Sequence, residues 1–341
     1  MGFNRFGTAA MSVAAVVASA VCVGGAPVAA EPSDPPTSIT SAVFFGDSLT
    51  DAGTYGFRFT TNPGMTWAQH IAADFTQSPD PNEHVASYDD VYQGKPGISG
   101  PGGLNYAEGG ASKPYSTVSQ NPNGTPISAQ VQVERYLAQH GTFKPDQLVT
   151  LYIGTNDVAL NYDPRFDASL AQGLRDNQMP SAEVMAAERK RVQDAASAEA
   201  RTAEEILASG AQHLLVFKLF DLSYLPWFES TAARDYVREL TSVYNDQLVA
   251  RLPKDPHLTI LDTAAFVDYL LANADKYGFA HGAGEDACLE SGQDYCNADA
   301  WKEPNADRTY IFVASEHFTT HAHELLADYV RKQISPGVAG S

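Results

Sequence analysis

The succession of apolar runs and helix-patterned segments predicts an α/β fold: a parallel sheet covered by helices on both faces. Two observations carry that prediction. Short apolar runs of strand length recur from Ser41 to Asp262, and segments of helical spacing or composition separate them. Connections of this kind are crossovers, and their right-handedness brings the C-terminal ends of all strands to one edge. Open α/β sheets bind their ligands at that edge.

The elements follow in order. SAVFFG, Ser41 to Gly46, is an apolar run closed by glycine and reads as a buried strand. WAQHIAADF sets Trp67, Ile71 and Phe75 four residues apart, the spacing of one helix face. Residues 76–104 are rich in Pro, Gly, Asp and Asn and read as a long irregular loop on a binding rim. QVQVERYLAQH is the next helix, and Gln147 to Ile153 the next strand. Residues 181–208 form the longest helical candidate, rich in Ala, Glu and Arg, with Ser181 as a partial cap. Its charge run reads as a solvated face, and Gly210 ends it. Gln212 to Leu222 is a strand, DYVRELTSVYNDQLVARL a helix, HLTILD a strand, and His323 to Gln333 the closing helix. Neither an internal repeat nor a dividing linker is visible.

The chain ends read differently. Residues 1–30 carry Arg5, an apolar run from Ala9 to Val23, and the small-residue cleavage pattern Val28-Ala29-Ala30. That order predicts a secretory signal peptide, too short in its apolar part for a stable membrane span. Cys22 raises the alternative of a lipid anchor, but Val21 is larger than such processing accepts. Residues 31–40 form a proline-rich lead-in, 41–333 a single catalytic domain, and 334–341 a flexible tail. No second long apolar segment follows, so no integral membrane segment is expected after cleavage. The protein is therefore expected to be secreted or periplasmic.

One of the 22 basic residues lies in the leader, leaving 21 against 41 acidic residues, a formal net charge of −20. Such a surface repels phosphate backbones and excludes nucleic acid as a natural partner. Cys288 and Cys296 are the cysteines left after cleavage, and an oxidising destination predicts a disulfide around LESGQDY.

The chemistry is carried by separated blocks. In FFGDSLTDAG, Ser48 stands in a tight turn after the first strand, where its Oγ is exposed and its amide faces the same space. A serine hydroxyl needs a base to take its proton as it attacks. GLNYAEGGA offers the Gly109 amide, and YIGTNDV offers the Asn156 side-chain amide. Together with the Ser48 amide these make three oxyanion donors, each worth about 3 kcal/mol in the transition state. YIFVASEHFTTHAH supplies His317.

In this order the blocks resemble the GDSL family of esterases and lipases, also called SGNH hydrolases, over most of residues 41–331. The resemblance implies a three-layer SGNH-hydrolase-like fold with about five parallel strands between helices. It implies Ser48 as nucleophile, His317 as base, and Gly109 and Asn156 as oxyanion donors. Asp47 takes a local structural role, Asp51 flanks the nucleophile on its other side, and Asp157 reads as an organiser of its loop. His321 and His323 flank the base; His323 opens the last helix and reads as structural, and no HExxH pattern supports a metal. No cofactor is implied.

One departure matters. The family's acid lies three residues before the base, and here that position is Ala314. Three readings stay open: a dyad in which a backbone carbonyl near Ala314 and Ser315 holds the imidazole, an acid from elsewhere, or an incomplete site. Glu316 is the adjacent acid, but neighbouring side chains diverge. The expected activity is hydrolysis of small-molecule or lipid carboxylic esters through an acyl-enzyme. The alternatives are an acyltransferase using the same serine and a weakly active or noncatalytic lipid- or carbohydrate-binding protein. Phe57, Phe59, Met65, Trp67, Tyr88 and Tyr92 are candidates for the cleft border. Chain length, alcohol group and oligomeric state are left open by these residues.

Overall fold

The computed structural model describes residues 39–84, 98–112, 126–290 and 292–334. The expected leader, most of the lead-in and tail, and both Tyr88 and Tyr92 lie outside the described residues. From the N-terminal side, β1 (Ser41–Gly46) is followed by β2 (Thr61–Asn62), α1 (Trp67–Asp74), β3 (Glu83–His84) and β4 (Ile98–Ser99). Next come α2 (Ala129–His140), β5 (Gln147–Tyr152), α3 (Thr155–Ala159), α4 (Ala168–Arg175), α5 (Ala182–Ala208) and β6 (His213–Phe217). The chain continues through α6 (Thr231–Arg251), β7 (Leu258–Leu261), α7 (Thr263–Ala272), β8 (His281–Asp286) and β9 (Cys296–Asn297). It closes with α8 (Ala306–Thr309), β10 (Tyr310–Val313), β11 (His317–Phe318) and α9 (Thr320–Ile334).

The central sheet is parallel, in the order β1-β5-β6-β7, with helices on it. Every residue of β5 is buried, as a strand covered on both faces requires. A fifth run, less regular, lies along the free edge of β1. Phe44 donates to the Leu104 carbonyl at 3.0 Å, Tyr106 to Phe44 at 2.8 Å, and Glu108 to Gly46 at 3.3 Å. Leu104 to Glu108 thus extends the sheet in parallel and delivers the glycine pair Gly109-Gly110 beside the end of β1.

A second, three-stranded sheet, β11-β10-β8, carries the C-terminal histidine block and has no counterpart in the sequence reading. HGAGED lacks an apolar pattern, and β11 is two residues long. Strand β6 stops at Phe217 rather than Leu222, where Asp221 caps a short 3-10 turn.

Two further differences have packing reasons. Trp67 is core, not cleft border: it is fully buried, edge-on to Phe44 at 5.7 Å and against Phe217 at 4.9 Å. The charge run of α5 is not wholly solvated either. Glu188 is buried, pairing with Arg191 at 2.7 Å and accepting from the Tyr236 hydroxyl at 2.6 Å. Glu199 is buried and accepts from the Tyr244 hydroxyl at 2.6 Å. Both tyrosines belong to α6, so these acids fasten α5 to α6. Among the described residues no helix is long and apolar enough to cross a membrane.

Gly154 ends β5's run into α3 at φ 113°, and a β-carbon there would meet the Tyr244 hydroxyl at 2.3 Å. Both the left-handed backbone and the occupied space demand glycine. Gly154→Ala is therefore expected to cost about 2 kcal/mol or more. Thermal unfolding should show a clearly lowered midpoint; an unchanged one would contradict this packing.

Candidate active site

The end of β1 is fixed before any chemistry begins. Gln132, from α2, accepts from the Gly46 amide at 2.9 Å and donates to its carbonyl at 2.8 Å. Asp47 then builds the turn: its carbonyl accepts from Thr50 and Asp51, both at 3.0 Å, and its carboxylate from Leu49 at 3.1 Å. Ser48 is left at the crest, with its amide unpartnered among the described residues. Asp51 ties this turn to the neighbouring loop, accepting from Gly53 and Thr54 at 2.8 Å and from the Gly109 amide at 2.8 Å.

That last contact changes the assignment of one donor. The Gly109 N–H is spent on Asp51, and a β-carbon on Gly109 would meet the Phe59 ring at 2.1 Å. Gly109 therefore holds the loop close to its neighbours. It is Gly110, at φ 80°, that lines the cleft with Ser48 and Asn156. Asn156 sits in the first turn of α3 and donates one Nδ2 proton to the Ala111 carbonyl at 2.8 Å. Its second Nδ2 proton remains for a ligand.

From the other sheet, His317 arrives on β11 and its Nε2 lies 2.9 Å from Ser48 Oγ. With Nε2 accepting from Ser48 Oγ, Nδ1 carries the ring's own hydrogen. Nδ1 is buried without a well-aligned partner among the described residues. The nearby Asp294 backbone, in the loop closed by Cys288 and Cys296, works weakly in favour of the protonated ring. Burial outweighs that support and drops the His317 pKa to about 3.

The turn before His317 is strained: Ala314 and Ser315 have φ of 53° and 65°. Asp286 holds it there, accepting from the Ala314 amide at 2.9 Å and the Ser315 amide at 2.8 Å. The carbonyls expected to hold the imidazole are engaged elsewhere. That of Ala314 accepts from Glu316 at 2.8 Å, and that of Ser315 from Trp227 at 3.0 Å. Glu316 lines the cleft, makes no hydrogen bond to His317, and is pushed up to about 8 by burial.

The remaining candidates fall into place around this pair. Asp47 is pushed up to about 7 and Asp51 to about 6, both by burial. His321 bonds Glu324 and the Tyr277 carbonyl, each at 2.9 Å, away from Ser48. His323 accepts from the Trp67 amide at 3.2 Å and joins α9 to α1. Asp157 is buried, and its carbonyl accepts from Arg191. Phe59 borders the cleft and tilts over the His317 ring at 5.1 Å, whereas Phe57 stacks on Tyr295 at 4.2 Å. Met65 is half-buried and does not line the cleft. Leu160, Phe166 and Trp227 give the cleft an apolar wall.

A family model described as GDSL-like Lipase/Acylhydrolase matches residues 43–330. The chain belongs to that family. It is 26% identical over 320 residues to an uncharacterized protein in the trpE-trpG intergenic region of Pseudomonas putida, covering 88% of this chain and 49% of the relative. The chain thus spans about half the length of that relative. It is 27% identical to a phosphatidylcholine-sterol acyltransferase of Aeromonas hydrophila, over 81% of this chain and 71% of the other. Among solved structures, a carbohydrate acetylesterase from Sinorhizobium meliloti is 13% identical with a TM-score of 0.35, covering 86% of this chain and 99% of that one.

The imidazole accepts a proton only when neutral. Because burial holds the His317 pKa far below the ordinary 6.5, the neutral form persists into acid. The acid limb of kcat/KM for an uncharged ester is expected well below pH 6. An acid limb centred between pH 6 and 7 would contradict the buried, neutral imidazole.

Proposed function

We propose that this protein is an exported serine esterase that hydrolyses carboxylic esters through an acyl-enzyme on Ser48. The observation that carries the reading is the 2.9 Å approach of His317 Nε2 to Ser48 Oγ inside a cleft also lined by Gly110 and Asn156. As Ser48 Oγ attacks the ester carbonyl, its proton passes to His317 Nε2. The carbonyl oxygen becomes an oxyanion and meets the Ser48 amide, the Gly110 amide and Asn156 Nδ2. Gly109 keeps the supporting role that its bond to Asp51 gives it.

His317 returns the proton to the departing alcohol, and the bond from carbonyl carbon to alcohol oxygen breaks. Water then attacks the acyl carbon as His317 takes its proton; the bond to Ser48 Oγ breaks, His317 returns the proton to Oγ, and the acid leaves. A buried imidazole is a weak base at rest, yet its charged form gains an oxyanion partner nearby as the intermediate forms. The apolar wall of Leu160, Phe166 and Trp227 suits the acyl part of an ester. Export rests on the leader pattern of residues 1–30, with release or periplasmic retention as the destination.

Acyl transfer to an alcohol other than water is the second reading. The likeness to an enzyme named phosphatidylcholine-sterol acyltransferase favours it, and the chemistry at Ser48 would be the same. Adding an acceptor alcohol separates the two: transfer gives a new ester, hydrolysis only free acid.

Ser48→Ala is expected to lower turnover of a soluble p-nitrophenyl ester by about 10⁴-fold or more. It should also abolish covalent labelling by an organophosphorus probe, read by intact mass. Asn156→Ala is expected to lower kcat by about 10²- to 10³-fold. Normal turnover in either variant would overturn the assignment.

A further inference from the structure

The side chain of His317 reaches Ser48 because a hairpin aims it. Strands β10 and β11 pair antiparallel, Phe312 opposite Phe318 and Val313 opposite His317, so residues 314–316 make the turn. Successive strand residues face opposite sides, and a slip of one residue at the turn would carry the imidazole away from the serine. Beyond the histidine the chain is pinned from another part of the fold. The Phe318 carbonyl accepts from Thr60 Oγ at 2.9 Å, and the Thr320 amide donates to Thr61 Oγ at 2.9 Å. The direction of the imidazole is therefore decided on its other side, in the turn.

That turn is built from unfavourable residues. Ala314 and Ser315 take φ of 53° and 65° in succession. Hairpins with positive φ at neighbouring positions prefer Asn, Asp or Gly there, because a β-carbon is crowded in the left-handed region. Asp286, buried at the end of β8, supplies the compensation. Its Oδ1 accepts from the Ala314 and Cys288 amides, both at 2.9 Å. Its Oδ2 accepts from the Ser315 amide at 2.8 Å and from Ser315 Oγ at 3.2 Å. Four donors converge on two oxygens, and an ionised carboxylate accepts at both, whereas an amide would turn a donor toward a donor. Strand β8 pairs in parallel with β10, Asp286 opposite Phe312, so the carboxylate and the turn sit on neighbouring strands of one sheet.

We infer that Asp286 is the positioning residue of the base, acting on His317 through the backbone of Ala314 and Ser315 rather than through the ring. It lies 31 positions before the histidine in the chain and reaches it by holding the one turn conformation that points Nε2 at Ser48. The site thus keeps an acid in its support, one step removed from the imidazole. This inference rests on the proposed Ser48 and His317 chemistry and adds what sets the direction of the base.

The test is a mutant cycle read as kcat and KM on a soluble short-chain p-nitrophenyl ester. Asp286→Ala is made in wild type and in Ala314→Gly/Ser315→Gly, with Ser48→Ala as blank and folding checked by circular dichroism. In wild type, Asp286→Ala is expected to lower kcat about 10- to 100-fold with KM changed less than about threefold, the mark of a displaced base. Glycine adopts positive φ without the penalty, so in the glycine background the same change is expected to cost less than about fivefold. A folded Asp286→Ala protein with wild-type kcat overturns the inference, as does a loss carried by KM alone. An equal loss in both backgrounds overturns it too, since Asp286 would then act by a route other than the turn. If Asp286→Ala does not fold in wild type, Asp286→Asn replaces it in both backgrounds and is read in the same way. Wild-type turnover in Ser48→Ala would instead defeat the underlying reading, whatever the cycle gives.

Discussion

Ser48 and His317 are 269 residues apart in the chain and 2.9 Å apart in space, and most of the structure serves that closeness. A hydrogen bond of this kind forms only if two independent supports agree to within a few tenths of an ångström. One support is the parallel sheet, whose β1 is gripped at Gly46 by Gln132 and followed by the Asp47 turn. The other is the three-stranded sheet, where Asp286 holds two residues in left-handed conformations so that β11 turns back toward the serine. Left-handed backbone at Ala314 and Ser315 costs about 1–2 kcal/mol per residue. Two amide bonds to one buried carboxylate offset much of it.

Burial then acts twice on the same pair. It holds the imidazole neutral and ready to accept a proton at rest, with the pKa dropped to about 3. It also makes every donor around the oxyanion more effective, because less water competes. The cost falls on the moment when His317 is charged, and that is where the geometry around Nδ1 matters. Phe59 tilts over the imidazole at 5.1 Å and covers one side of the ring. Leu160, Phe166 and Trp227 share the cleft with acid groups, of which Glu316 is pushed up to about 8 by burial.

What could be read from the sequence was what is local. Ser48, Asn156 and His317 stand in short blocks whose neighbours announce a turn, a helix start and a strand, and the cleft brings all three together. The parallel strands were legible because runs covered on both faces are apolar throughout. Gly109 and Gly110 show where local reading ends: the glycine pair is evident, but which amide faces the cleft depends on Asp51, more than 50 residues earlier. A signal for the buried acids of α5 does exist. Glu188, Val192, Ala195, Glu199, Ala203 and Ile206 fall on one face at three- and four-residue steps, so two of its acids share the inward stripe.

The charge environment around residue 314 is a poor one for a carboxylate. The ground around the nucleophile already holds Asp47, pushed up to about 7, and Glu316, pushed up to about 8, both by burial. A further carboxylate at residue 314 would stand next to Asp286, which already accepts from that residue's own amide. It would also sit among Tyr310, Val313 and the disulfide cysteines, where an unpaired charge is expensive. Ionising it there would raise the neighbouring acids further and weaken the developing oxyanion through like-charge repulsion.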